Sequence, residues 1–474
     1  MTVTSRKMRV VAASAMALAL SACASTLRDD AMQEISATTK PTTGVAASYA
    51  TSEKERDALR AQAQALLAEP LGMDEATRVA LLNNRGLQAS FAELGIAAAD
   101  LAGASRPPNP GFSYSKIMGS GELEIERQVS INVLAFLTFP INYLIEQRRF
   151  EQSKLLAAGS VLRLAAETRR AWIKTVAAEQ IVAFVEQARD AAEAQAALAR
   201  QMRQVGNFSA LDAARQQAFY AESTGLLARA RLHAASEREA LTRLLGLWGE
   251  TVAFTLPPRL PELPAKIDEA TDIEARTVAG RYDIQVAKSD TDALRKSLDL
   301  SRATRFVNVL EAGYLSRTER ASVPQKGFEV SFEVPIFDLG DARVSRAEQT
   351  YMQSVNRLAE LAVNARSEAR AAYVSYRTAY DIARHYRDEV VPLRKRISEE
   401  LLLRYNGMLV SVFELLTDAR EQITAVVAAI EAARDFRLAE TDLQFVALIG
   451  GGAREGARPS RTITSGADLA VPAH

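Results

Sequence analysis

Residues 327–340 read GFEVSFEVPIFDLG, and the order of side chains in this stretch decides the fold. Apolar and polar residues alternate along it until Pro335, which lacks a backbone donor and ends the pattern. Such alternation predicts a β-strand with one apolar and one polar face. A strand of this kind suits a barrel wall between lipid and water, and the alternative interpretation is an edge strand of a soluble sheet. The apolar positions are Phe328, Val330, Phe332, Val334 and Ile336.

A second pattern predicts a long helix after this strand. Between Val344 and Val390, apolar and small residues recur at steps of three and four, and alanine is the commonest of them. This spacing is typical of a coiled-coil seam, and small side chains along it let neighbouring helices approach closely. We assign the seam a packing role and no ligand chemistry.

Four landmarks recur in the same order at an offset of about 200 residues, which predicts a duplicated unit. The predicted copies occupy residues 74–250 and 271–450, with a linker at 251–270 between them. The paired landmarks are Leu87-Gln88 with Ile284-Gln285, Pro140-Ile141 with Pro335-Ile336, Gly206 with Gly407, and Leu245-Gly246 with Ile449-Gly450.

Each predicted copy is a helix, a β-hairpin, a long helix and a further helix. The hairpins are expected at about 112–139 and 305–337, and in the first of them Pro140 ends the second strand. Each long helix matches in length the two short helices of its own copy, so it lies beside them with the hairpin at one pole. The turn at Gly206 or Gly407 is at the other pole. The long helices are expected at 141–205 and 340–405, and the short ones at 74–103, 209–246, 271–302 and 411–448.

Two hairpins supply four strands per chain, which are too few to close a barrel. Open strand edges are not tolerated inside a bilayer, so several chains must share the barrel. The predicted fold class is therefore mainly α with a membrane β-barrel built from two tandem helix–hairpin–helix repeats. Closure by two, three or four chains would give eight, twelve or sixteen strands, and all three numbers are known among membrane barrels.

The N-terminus is predicted to be a lipoprotein signal peptide. Basic residues precede an apolar stretch at 10–20 that is too short to span a bilayer. The following Leu20-Ser21-Ala22-Cys23 resembles the lipobox of bacterial lipoproteins, in which residues 1–22 are removed and Cys23 is acylated. Cys23 is the only cysteine of the chain, and the alternative is an incidental buried thiol.

Two segments outside the copies are expected to lack a packed role. The lipidated N-terminal extension covers residues 23–73, and its part at 24–55 is predicted to be flexible, like the C-terminal tail at 451–474.

Ala24 in place of an aspartate after Cys23 favours localisation in the outer membrane over localisation in the inner membrane.

The composition excludes several classes of protein. Lys and Arg number 58, as do Asp and Glu, so no basic excess is available for nucleic acid. Beyond the N-terminal segment, no run of about 18 apolar residues predicts a membrane-spanning helix. The three histidines, His233, His385 and His474, show no metal-ligand spacing, and no phosphate loop or nucleophile motif is present. We expect neither an enzyme nor a metal site, and no cofactor apart from the lipid on Cys23.

The run Pro335-Ile336-Phe337-Asp338-Leu339-Gly340 resembles the strand-to-helix junction of the TolC-like outer membrane factors. The resemblance extends over about 74–450, and duplication is itself a trait of that family. It implies that Pro140, Pro335, Asp338 and Gly340 form the two junctions. The first copy departs from the pattern, because Pro140-Ile141-Asn142-Tyr143 lacks the Phe-Asp-x-Gly run.

The resemblance also implies an assembly and partners. Three chains would form a homotrimer with a 12-stranded barrel in the outer membrane and a tunnel of coiled-coil helices across the periplasm. Such channels dock on a periplasmic adaptor, a membrane fusion protein, which is joined to an inner-membrane pump. By position, Gly206, Ser209, Gly407 and Ser411 would form the docking tips of the helices.

Two acidic residues follow these tips at matching positions. Asp212 and Glu414 would ring the aperture of the tunnel and favour cations. The alternative is that both are first-turn acids that stabilise helix N-termini.

The predicted function is the outer-membrane channel of a tripartite efflux system that exports drugs, toxic compounds or metal ions. A channel for type I protein secretion and a non-conducting structural coiled-coil lipoprotein are the alternatives. The transported substrate and the class of pump stay open at this point.

Overall fold

The computed structural model describes residues 26–119, 122–249, 253–267, 269, 272–306, 310–319, 323–333, 336–337 and 339–450. Seven of the predicted features lie outside the described residues: the signal peptide at 1–22, Cys23, Ala24, Val334, Pro335, Asp338 and the tail at 451–474.

Long helices and two β-hairpins make up most of the described chain. In chain order the elements are α1 (26–43), α2 (Glu53–Leu66), α3 (Met73–Asn83), α4 (Arg85–Ala104), β1 (Gly111–Gly119), β2 (Glu122–Asn132), α5 (Val133–Gln204), α6 (Ala210–Leu245), α7 (Ile273–Gly280), α8 (Tyr282–Ala303), β3 (Leu310–Glu319), β4 (Gln325–Phe332), α9 (Asp341–His385), a π-helical segment (Tyr386–Val390), α10 (Val391–Asn406) and α11 (Val412–Val446).

The two hairpins join into one antiparallel sheet with the strand order β1-β2-β3-β4. The pairing between the hairpins runs from Glu124 opposite Glu319 to Asn132 opposite Glu311. Within the described residues, β1 and β4 each pair on one side only, so both outer edges of the sheet carry free backbone groups. The sheet lies at one end of the helical body, and the α5–α6 and α10–α11 turns lie at the other end.

The first strand-to-helix junction differs from its prediction. β2 ends at Asn132, and α5 begins at Val133, so the apolar residues up to Phe139 are helical. β2 ends here because its neighbour β1 extends no farther in this direction: Gly111, the first residue of β1, lies opposite Ser130. The Asn132 side chain then accepts a hydrogen bond from the Ala135 N–H (2.7 Å) and caps the helix.

Pro140 is therefore not a junction residue, and the prediction that it ends the strand is wrong. It lies inside α5, within the first turns of the helix. In the second copy β4 ends at Phe332, and Gly340 is the N-cap residue of α9 with a left-handed φ of 73°. That backbone conformation favours glycine at this position.

The two long helices of the copies are unequal. α5 has 72 residues without interruption, which corresponds to a length of about 110 Å. The second long helix is interrupted by the π-helical segment Tyr386–Val390, and Pro392 follows at the start of α10. A proline removes one backbone donor, and such single-turn π segments absorb local irregularity in a helix.

The first short helix of each copy is broken in two, which the predicted helices at 74–103 and 271–302 did not include. The break in copy one is at Asn84, whose side-chain amide donates to the Leu244 carbonyl (3.0 Å). The break in copy two is at Arg281, and the Tyr282 N–H next to it donates to the Leu448 carbonyl (2.9 Å). In each copy, the break in the first short helix therefore contacts the C-terminal end of the last helix.

The N-terminal extension is packed, so the predicted flexibility of residues 24–55 is wrong for its described part. Ala31 and Ile35 of α1 are buried in the main hydrophobic core. Lys154 of α5 contacts Glu34 and Glu151, both at 2.7 Å. Burial alone would lower the pKa of Lys154, but the hydrogen bonds to these two carboxylates outweigh it and raise that pKa.

α1 runs along the body away from the sheet. Arg28, at its beginning, lies over Gly95 of α4, the helix that leads into β1. Thr42, at its end, offers its carbonyl to Arg169 at 3.5 Å, farther along α5 towards the turns. The start of α1 is therefore its end nearest the sheet.

The linker between the copies also packs against the helices. Phe254 is buried, and Arg238 lies over its ring at 4.2 Å. The Tyr380 hydroxyl donates to the carbonyls of Pro264 and Ala265, both at 3.0 Å. The linker thereby ties the first copy to α9 of the second.

Candidate functional site

The four-stranded sheet has two chemically different faces. Opposed residues of an antiparallel pair point to the same side, so the strand register assigns every side chain to one face. We define the apolar face as the one that carries Phe328 and Tyr314, whose rings meet edge to face at 5.7 Å. Its large apolar side chains are exposed: Phe112, Tyr114, Met118, Val129, Ile131, Tyr314, Phe328, Val330 and Phe332.

The opposite, polar face carries a strong negative charge. Arg317 pairs there with Glu124, and the Gln128 side-chain amide donates to Glu329 at 2.6 Å. Among the strand residues whose side chains the structure describes, this face carries five carboxylates and one cation. The carboxylates are Glu124, Glu126, Glu311, Glu319 and Glu329.

The first helix tip is a tight turn between α5 and α6. The Gly206 N–H donates to the Arg203 carbonyl (3.1 Å), and the Asn207 N–H donates to the Met202 carbonyl (2.9 Å). Gly206 has a φ of 80°, in the left-handed region that side chains other than glycine rarely adopt.

The second tip repeats this geometry one residue later than predicted. The Met408 N–H donates to the Tyr405 carbonyl and the Leu409 N–H to the Arg404 carbonyl, both at 2.9 Å. The left-handed residue is Met408, with a φ of 58°, whereas Gly407 has a φ of −81°. The pairing of Gly206 with Gly407 is therefore wrong in the structure, because the turn matches Gly206 with Met408.

Both tips begin their second helix with a serine cap. Ser209 Oγ accepts from the Asp212 N–H (3.0 Å) and donates to the Asp212 carboxylate (2.6 Å). Arg215 also contacts Asp212, at 3.3 Å. Ser411 Oγ accepts from the Glu414 N–H at 3.4 Å. Both acids thus occupy the first turns of α6 and α11, where a negative charge stabilises the helix dipole.

The two tips of one chain are held side by side. Phe219 of α6 and Leu416 of α11 are buried against each other in one small cluster. Arg420 pairs with Glu222 at 2.9 Å and also lies over the Phe219 ring at 5.5 Å. Apolar side chains around the turns stay exposed: Val205, Leu211, Met408, Leu409 and Phe413.

Two buried polar residues near the tips were not predicted. Asp418 is 7% exposed, and its carboxylate accepts a hydrogen bond from Ser398. Gln216 is 9% exposed and occupies the matching place in the first copy, since each residue lies seven positions after its serine cap. The spacing from the caps is the sequence signal that points to this pair.

The described part of the chain offers neither a membrane-spanning helix nor a metal-binding cluster. None of its helices is both long enough and apolar enough to cross a membrane. The same residues contain no group of three or more His, Cys, Asp and Glu side chains that could hold a metal ion.

A scan against protein-family models finds no match, and a search of curated proteins finds none either. Solved structures do match. The Campylobacter jejuni CmeC outer membrane channel has a TM-score of 0.70 at 18% identity, over 79% of this chain and 85% of that one. The open state of the Neisseria gonorrhoeae MtrE outer membrane channel has a TM-score of 0.65 at 15% identity, over 79% and 88%.

A third match is CusC, whose structures describe folding and transmembrane channel formation, with a TM-score of 0.67 at 17% identity over 80% of this chain and 93% of that one. These neighbours are channel proteins rather than enzymes. The chain therefore has the fold of the TolC-like outer membrane factors, the family that its run at 335–340 resembles.

Proposed function

We propose that the chain is the outer-membrane channel subunit of a tripartite efflux system. It would act as a passive conduit for small molecules when docked to a periplasmic adaptor and an inner-membrane pump. The observation that carries the proposal is the sheet at one end of a long helical body. The apolar face of this sheet is exposed, its polar face is acidic, and both its outer edges lack a strand partner within the described residues.

The free edges support a homotrimer. A strand edge buried in lipid must find a partner, because unpaired backbone groups there cost several kcal/mol each. β4 of one chain would pair with β1 of the next, and three sheets of four strands would close a barrel of twelve. A groove of about 700 Å³ along α9 and α11, lined by Ala371, Val374, Ala379 and Ile382, supports contact with a second copy.

The helices would form the wall of the tunnel. At about 110 Å, α5 is far longer than an ordinary domain needs. The docking tips would be Gly206, Ser209, Gly407 and Ser411, and the exposed apolar side chains around them suit contact with an adaptor. Asp212 and Glu414 would favour cations at the aperture, in addition to stabilising the N-termini of their helices.

The position of α1 supports a lipid anchor. Cys23 would lie three residues before α1, whose start is the end nearest the sheet. The end of α1 that follows Cys23 in the sequence is thus the end on the membrane side of the body. This placement agrees with localisation in the outer membrane.

Conductance of the purified full-length protein tests the proposed function. We expect a species that migrates as a trimer, dissociates on heating and opens defined channels in planar bilayers. The Cys23→Ser variant should lose labelling by a radioactive fatty acid and keep the channels. A monomer without conductance would overturn the channel and favour the structural lipoprotein, and export of proteins instead of small molecules would favour the secretion channel.

A pair of variants tests the docking tips. Gly206→Val should weaken adaptor binding and leave the trimer intact, because a β-branched residue strains a φ of 80° in an exposed turn. Gly407→Val should have a smaller effect, since its φ of −81° suits any residue. Loss of the trimer in Gly206→Val would assign the turn a purely structural role.

A further inference from the structure

Three cations stand on the apolar face of the sheet. The strand register places Lys116, Arg127 and Lys326 on the same side as Tyr314 and Phe328. All three cations are exposed. Among the strand residues whose side chains the structure describes, this face carries no carboxylate, and none of the three cations makes an ion pair there.

The cations form a band across the sheet. Arg127 lies opposite Ser316, which lies opposite Lys326, so two of the charges share one row across β2, β3 and β4. Lys116 lies in the next row, opposite Ile125. We name these three residues the basic band.

The basic band lies near the far margin of the apolar belt, and on β1 only the row of Met118 lies beyond it. Lys326 is six residues from Phe332 along β4, which corresponds to about 20 Å of strand, or about 15 Å of height at the tilt of about 40° usual in membrane barrels. Phe306 and Phe337 extend the exposed apolar surface farther towards the helices. An outward apolar band in a barrel is about 25 Å tall, and long basic side chains extend to its edge. The basic band therefore lies where hydrocarbon gives way to headgroups.

A basic residue in such a place needs an anion. Arg317, on the polar face, has its partner in Glu124 on the same sheet. The three cations of the basic band have no ion-pair partner among the described side chains of the sheet, and leaving a charge unpaired beside hydrocarbon is costly. The anions available at that level of a membrane are the phosphates of lipid headgroups, which attract clustered Lys and Arg.

We propose that Lys116, Arg127 and Lys326 bind the phosphate groups of anionic lipids at the membrane margin away from the helices. This inference rests on the proposed function, since it needs the apolar face to lie in lipid. The basic band fixes the depth of the barrel in the membrane and gathers anionic lipid around it. Its phosphates come from membrane lipid and not from free phosphate in solution.

Lipid retention tests the basic band. The full-length protein is reconstituted in nanodiscs of equal parts phosphatidylcholine and phosphatidylglycerol, and native mass spectrometry counts the lipids that remain bound. The wild type should retain phosphatidylglycerol in excess. The K116Q/R127Q/K326Q variant should lose this excess, by about fivefold for each charge removed, which is the equivalent of about 1 kcal/mol per basic side chain near an anionic surface.

Matched controls separate charge from folding. K116R/R127K/K326R keeps the charges and should keep the excess, and E124Q/E126Q removes charges from the polar face and should not lower it. If the triple glutamine variant does not assemble, the single variants should each show a partial loss. Equal retention of the two lipids by the wild type, or displacement of phosphatidylglycerol by inorganic phosphate, would overturn the proposal.

The same preparation distinguishes the two hypotheses. Wild-type protein that conducts in planar bilayers but shows no preference for phosphatidylglycerol would overturn the basic band alone. Protein that neither inserts nor conducts would overturn the proposed function and the basic band together.

Discussion

Replacing Arg281 with methionine should open the joint between α7 and α8. The Arg281 side chain is 2% exposed and contacts the carboxylates of Asp283 and Glu368, each at 2.5 Å. Burial alone would lower the pKa of Arg281, but the hydrogen bonds to these carboxylates outweigh it and raise that pKa. Methionine keeps much of the side-chain volume and removes the charge, so the two carboxylates lose their shared partner.

The cost follows from the burial of the three groups. Removing one partner from a buried ion pair costs about 3–5 kcal/mol, because the other charge is left without compensation. The Asp283 and Glu368 side chains are 34% and 37% exposed, so water compensates part of that loss. We therefore expect the lower value, about 3 kcal/mol, which is about a hundredfold in the equilibrium between closed and open joint.

Arg370 provides the matched control. It links the same helices through Glu274 at 2.9 Å, but the two side chains are 58% and 42% exposed. Exposed pairs contribute about 0–1 kcal/mol, so Arg370→Met should change little. The two substitutions remove the same charge from neighbouring contacts between α7, α8 and α9, and they differ mainly in burial.

Hydrogen exchange measured by mass spectrometry reads the joint directly, because local opening exposes its backbone amides. Peptides that cover residues 273–285 should exchange about a hundredfold faster in Arg281→Met and nearly as in wild type in Arg370→Met. Peptides from α6 should be unchanged in both. Equal acceleration by the two variants, or none in Arg281→Met, would refute the assignment of the stability to the buried pair.

Three further predictions concern a turn, a core and a cap. Gly206→Ala should destabilise its tip, and Met408→Gly should stabilise the other, by about 1 kcal/mol each, because both positions hold a left-handed backbone; amide exchange of the turns measures both. Phe436→Ala should lower the free energy of unfolding by about 3–5 kcal/mol, because its ring is fully buried. Phe413 is on the same helix but exposed, so Phe413→Ala should lower that free energy by less than about 1 kcal/mol. Thermal unfolding of the two variants measures the difference. Hydrogen bonds from the backbone and hydroxyl of Thr51, then from Ser52, hold the pKa of Glu55 below its ordinary value of 4.5. The cap of α2 is therefore fully formed above that value and lost as the pH falls through the depressed pKa, and exchange in α2 should show this dependence in wild type and not in Glu55→Gln.

The sequence predicted the features that local periodicity controls. The alternation at 327–332 and the seam after Val344 are strong local signals, and the structure has a strand and a helix at these places. The joints at Asn84 and Arg281 gave no local signal, because each break is stabilised by a carbonyl in or just after the last turn of a helix far away in the chain. A pattern within one segment does not contain such a partner.

Two of the wrong assignments have a related cause. Residues 133–139 are apolar enough for a strand, but a strand needs a neighbour, and the neighbouring strands end before it. Gly407 is the obvious left-handed residue by composition, yet the hydrogen bonds of the turn place that conformation at Met408. In both cases the hydrogen-bond partners decide the structure, and they are set by geometry outside the local sequence.

The equal backbones and unequal side chains of the two tips have a consequence for symmetry. If three chains close into a ring, its six turns are nearly sixfold in their hydrogen bonds. The side chains around the ring have only threefold symmetry. Gly206, which has no side chain, alternates with Met408, whose thioether side chain is exposed; Met408 is 93% exposed. A partner with six identical contacts would then meet two kinds of site in alternation, and it would bind one kind more tightly than the other.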